Sequence, residues 1–105
     1  MKKFVLIYTA TEEAMKNMGT MSPEEKKKGM DGWKTWADNL GDNMVEVGTP
    51  FGEGIKLPEG TQAHGLMGYS VLQADSMEEA KKLLDDYPYK DGMGHELYEA
   101  MPMPG

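Results

Sequence analysis

The 105-residue sequence predicts an α+β fold of the ferredoxin-like βαββαβ kind, with an antiparallel sheet covered on one face by two helices. Three observations lead there. Two segments carry apolar residues on a single helical stripe, two strand segments are apolar on both sides, and the order strand, helix, strand occurs twice around a glycine-rich stretch. One domain spanning residues 1–105 is expected, because the chain is far shorter than the length at which one core divides into two.

Phe4-Val5-Leu6-Ile7-Tyr8 is apolar at every position, the pattern of a strand buried from both sides. Met1-Lys2-Lys3 before it imitates a signal peptide. The apolar run is too short for one, and Glu12-Glu13 follow at once. After a polar stretch around Met15 and Met18, Ser22 supplies an N-cap, Pro23 a first helical residue, and Glu24-Glu25 first-turn acids. Met30, Trp33, Trp36, Ala37 and Leu40 then fall on one stripe, and Gly41 is placed to stop the helix.

Met44 to Val47 reads as a second strand. Gly48, Pro50, Gly52, Gly54, Pro58 and Gly60 break the next stretch of chain into turns, with a short strand expected at Ile55 to Leu57. Gly68 to Ala74 is the next strand. Ser76 and Glu79 form a capping box for a second helix whose stripe is Met77, Ala80, Leu83, Leu84 and Tyr87. A last strand runs from Glu96 to Met101, closed by Pro102 and Pro104.

In this layout the first and third strands are central, and these are the two with apolar residues on both faces. The helices cover one face only. A second copy of the chain is the simplest cover for the other, so a homodimer enclosing a shared cavity is expected.

Gly48-Thr49-Pro50, Gly68-Tyr69-Ser70, Ala74-Asp75-Ser76 with Glu79-Ala80, Tyr87-Pro88 and the closing Glu96 to Pro102 strand resemble the YCII-related (DGPF-type) family. The likeness runs from Phe4 to Met103. It implies a ferredoxin-like subunit, a face-to-face dimeric α+β barrel and a small cleft. Family members tied to catalysis, such as a dehydrochlorinase acting on chlorinated hydroxyquinols, are associated with a His–Asp pair. The histidine of that pair belongs in the helical region after the first strand, where this sequence offers Trp33 and Trp36 and no histidine. The Asp-Gly-Pro-Phe signature is also absent, and Gly48-Thr49-Pro50-Phe51 is a partial echo of it.

Eleven Lys and Arg against eighteen Asp and Glu leave a net charge of −7, which argues against nucleic acid or an anionic membrane as partner. No window is long enough to span a bilayer, so a cytoplasmic protein is expected. Without cysteine there is no disulfide, thiolate nucleophile or cysteine-held metal cluster. Gly52-Glu53-Gly54 and Gly92-Met93-Gly94 do not continue into phosphate-loop patterns and read as turns. No cofactor motif is present.

His64 and His95 are the only residues of a type whose unperturbed pKa lies near neutrality, and they are the candidate general bases. A metal site from both with Glu96 or Glu99, or from Asp85, Asp86 and Asp91, lacks an informative spacing, and no metal is expected. Ser22 and Ser76 are explained as caps. Ser70 lies inside a strand rather than at a nucleophile elbow.

Ligand-binding candidates are Tyr8, Trp33, Tyr69 and Ser70, the tyrosines pairing an apolar body with a hydroxyl. The helical stripes favour core packing for Trp33, Trp36 and the methionines, although eleven methionines also suit an adaptable lining. Two function classes lead, beside a purely structural partner for another protein, which would show an exposed apolar patch on the helices. One is a cofactor-independent isomerase or lyase acting on a small cyclic or enolic substrate, with His64 or His95 as base and Tyr8 or Tyr69 donating to the oxyanion. The other is a non-catalytic accessory or ligand-sensing module.

Overall fold

A computed structural model describes residues 1–52, 54, 55, 57, 65–88 and 92–102. Its elements are β1 (Lys2–Ala10), α1 (Glu12–Thr20), α2 (Pro23–Leu40), a 3-10 turn (Gly41–Asn43), β2 (Met44–Pro50), β3 (Leu66–Ala74), α3 (Met77–Lys82) and β4 (Met93–Glu99). The sheet runs β2-β3-β1-β4 with every pairing antiparallel. This is the expected ferredoxin-like α+β order, with β1 and β3 at its centre.

Strand alternation sorts the side chains into two faces. Phe4, Leu6, Leu72 and Ala74 are buried beneath Trp36 and Ala37 of α2 and Ala80 of α3, so both helices lie on one face. The other face carries Val5 and Ile7 from β1 opposite Val71 and Tyr69 from β3, with Glu96 and Tyr98 from β4. Val5, Ile7, Tyr69 and Val71 are half-buried, and Tyr98 is 55% exposed.

Both helix starts follow the capping chemistry. Ser22 accepts from the Glu25 amide and Ser76 from the Glu79 amide, each at 3.2 Å, which satisfies donors that have no partner within the helix. The polar stretch around Met15 and Met18 is itself a helix, α1, capped by Thr11 with Glu12 and Glu13 in its first turn. Gly92 (φ +79°) lets that helix meet the start of β4, because a Cβ there would stand 2.7 Å from Thr11 Oγ1 and 2.9 Å from Ala14 Cβ.

The second predicted helix is shorter than its stripe. It ends at Lys82, and Leu84, Asp85 and Tyr87 then donate to carbonyls three residues back, a tighter winding that carries the chain to Pro88. Met77, expected in the core, is 39% exposed, and Met30 is 52% exposed. Ile55 and Leu57 lie outside any strand, so the short strand expected there is not formed by them. Among the described residues, no helix is long and apolar enough to cross a membrane.

Candidate functional site

The site begins with an irregularity in the sheet. Glu46 pairs with Val71 and Thr49 with Tyr69, so Val47 and Gly48 together oppose the single residue Ser70. This is a bulge, and Gly48 at φ +78° is the residue that permits it. A Cβ on Gly48 would come within 1.8 Å of the Tyr69 carbonyl oxygen. The bulge presents the Val47 carbonyl to the Ser70 hydroxyl, which donates to it at 2.6 Å.

Ser70 is fully buried on the helix-covered face, where its hydroxyl also lies 2.7 Å from the Tyr8 hydroxyl. Trp33, reaching down from α2, donates its Nε1–H to Tyr8 at 3.3 Å. One chain of hydrogen bonds therefore ties α2 to β1, β3 and the edge strand. Burial raises the Tyr8 pKa above its ordinary value, partly offset by its hydrogen-bond partners.

Above this chain opens a cleft of about 600 Å³. It lies between the sheet and the helices within one chain, on the face opposite the one expected to meet a second copy. Its wall includes the rings of Tyr8, Trp33 and Tyr87 and the methionines Met18, Met21, Met30, Met67 and Met93. Lys26 is the one charged residue among the described residues lining it.

The candidate residues divide around this cleft. Tyr8 and Trp33 line it, and Ser70 anchors Tyr8 from beneath. Tyr69 borders it, but its register partner is Ile7, so Tyr8 and Tyr69 belong to opposite faces of the sheet. The Tyr69 hydroxyl donates to Glu46 at 2.8 Å, and its ring stacks on Phe51 at 6.0 Å. That bond to a carboxylate raises the Tyr69 pKa.

His95 lies directly across from Tyr8 on β4, its ring 5.2 Å from that of Tyr8 and 4.2 Å from that of Tyr87. It stands behind these rings and does not line the cleft. Burial pushes its pKa down to about 4, so the imidazole is neutral at pH 7. His64 lies outside the described residues, as does Asp91 of the acidic cluster. Glu96 follows His95 and so points to the other face, while Glu99 pairs with Lys2 at 3.2 Å. No cluster of three potential metal ligands occurs among the described residues.

The helical stripes predict core packing for Met30 and Met77, and Met30 departs from that expectation by lining the cleft. Met30 and Trp33 share their stripe with Trp36 and Ala37, yet only the latter two are buried in the core. Lys26, Gly29, Met30 and Trp33, from the first turns of α2, line the cleft together with Val47 to Pro50 of β2 and Met67 to Tyr69 of β3. Compared with models of known protein families, with curated proteins and with solved structures, the chain matches none significantly.

Proposed function

We propose that the chain binds a small, largely apolar, ring-bearing molecule in the cleft between its helices and sheet, and acts as a binding module. The observation that carries this reading is the wall. Four aromatic side chains, with Tyr69 at the border, and five methionines surround a volume typical of small-molecule sites, and Lys26, Thr49 and the tyrosines bring its few polar groups. Methionine is flexible and polarisable, which suits a pocket that adapts to its occupant.

Two further proposals accompany it. Membership of the YCII-related family is supported by the motif residues from Gly48 to Pro102. Association of two copies through the helix-free face is supported by its row of Val5, Ile7, Tyr69 and Val71. A second reading, cofactor-independent isomerisation or elimination, draws on His95 packed against the rings of Tyr8 and Tyr87. Its low pKa makes His95 a weak base, and its place behind Tyr8 favours binding over chemistry.

Calorimetric titration with a panel of single-ring aromatic compounds tests the binding reading. Wild-type chain is expected to bind members of the panel, and Met30→Glu, at a half-exposed wall position, to weaken them by about tenfold or more through a charge in the wall. Absence of binding across the panel, or full affinity in Met30→Glu, would contradict it.

A further inference from the structure

We infer that the cleft selects ligands that present a hydrogen-bond donor, a hydroxyl or an N–H, to the oxygen of Tyr8. This rests on the binding reading above and names the chemistry of what is bound. The reason lies in the count of hydrogens along the chain from Trp33 to Val47.

A backbone carbonyl only accepts, so the Ser70 hydrogen is committed to Val47. Ser70 then has lone pairs alone to offer Tyr8, and at 2.7 Å the hydrogen between the two hydroxyls must be that of Tyr8. The Trp33 indole has no acceptor and gives its single N–H to Tyr8. Every hydrogen in the relay is therefore spent within the protein, running Trp33 to Tyr8 to Ser70 to Val47. Tyr69, at the border, has likewise given its hydrogen to Glu46.

Tyr8 lines the cleft, and its oxygen, which already accepts one hydrogen from Trp33 and has given its own to Ser70, has only its remaining lone pair to offer a ligand. Its donation to Ser70 strengthens the Tyr8 oxygen as an acceptor, while the Trp33 N–H takes up part of that capacity. A ligand hydroxyl or N–H completes the chain. A carbonyl or ether oxygen at the same place meets another lone pair, unless Tyr8 withdraws its hydrogen from Ser70, which is fully buried and would lose its partner out of reach of solvent. The bulge at Gly48 thus sets ligand polarity through the Val47 carbonyl that it presents to Ser70.

Paired probes of one shape test this. Para-ethylphenol carries a donor and para-ethylanisole has it capped by a methyl group. By calorimetry the wild-type chain is expected to bind the phenol about three- to tenfold more tightly, the usual worth of one hydrogen bond. Ser70→Ala releases the Tyr8 hydrogen, so the ratio should fall towards one through a gain for the ether. Tyr8→Phe should also abolish the ratio, through a loss for the phenol. Circular dichroism and the unfolding transition establish that each variant is folded. Equal affinity of the two probes for the wild type, or a preference that persists in the folded Ser70→Ala chain, overturns the inference and leaves occupancy of the cleft standing. Binding of neither probe overturns both this inference and the proposed function.

Discussion

Ser70 and His95 are polar residues set among apolar neighbours, and they are reconciled with that setting in different ways. Ser70 is satisfied by two short hydrogen bonds. His95 is accommodated by staying neutral. Its folded pKa of about 4 lies below the ordinary 6.5, so between these values the unfolded chain binds a proton that the folded chain does not. Stability contributed by the neutral ring is complete above pH 6.5, falls as pH drops through this window, and levels off below about pH 4. Allowing for the ring's partial exposure, the loss is on the order of 2 kcal/mol. His95→Phe keeps a ring without the titration. Urea unfolding should show wild type losing about 2 kcal/mol relative to this variant between about pH 7.5 and about pH 4.5, and a constant difference would refute the assignment. The chemistry of Tyr8 and Ser70 is legible in the sequence. Their hydrogen bond is not, because it joins strands 62 residues apart.

At the scale of elements, local signals are clear where capping residues stand beside a strong stripe. Ser22, Pro23 and Gly41 bracket α2 at Pro23–Leu40 as expected. Helix α1 escapes the sequence pattern although Thr11 and two acids mark its start, since its apolar residues are too few to make a long stripe. The bulge in β2 is also hidden, because Gly48 resembles any turn glycine until its register partner is known. Its importance can be measured. Gly48→Ala combines a left-handed backbone with a Cβ within 1.8 Å of the Tyr69 carbonyl, so β2 must move away from β3. The expected cost is about 2–4 kcal/mol by chemical unfolding, with weakened probe binding as the Val47 carbonyl leaves Ser70. A change below about 0.5 kcal/mol would show that the bulge does not depend on glycine.

For the whole molecule, the two-sided strands announce both central positions in the sheet, and the strand order agrees. They give no hint of the cleft's location, which depends on the first turns of α2 meeting the ends of β2 and β3. The helix-free face remains the place where a second copy is proposed, at about 800 Å² buried per partner for an ordinary stable pair. Val71 faces its centre beside Val5. Sedimentation equilibrium at micromolar concentration should give twice the 11.7 kDa chain mass, and Val71→Lys should return it to a single chain. A wild-type monomer would contradict the proposed association.

Occupancy of the cleft itself can be read from its methionines. In a sample labelled at the methionine methyl carbons, titration with para-ethylphenol should move the signals of Met18, Met21, Met30, Met67 and Met93, which line the cleft. Those of Met1, Met77 and Met101, exposed and outside the lining, should stay in place. Shifts confined to the second group, or none at all at saturating probe, would contradict a binding site between the helices and the sheet.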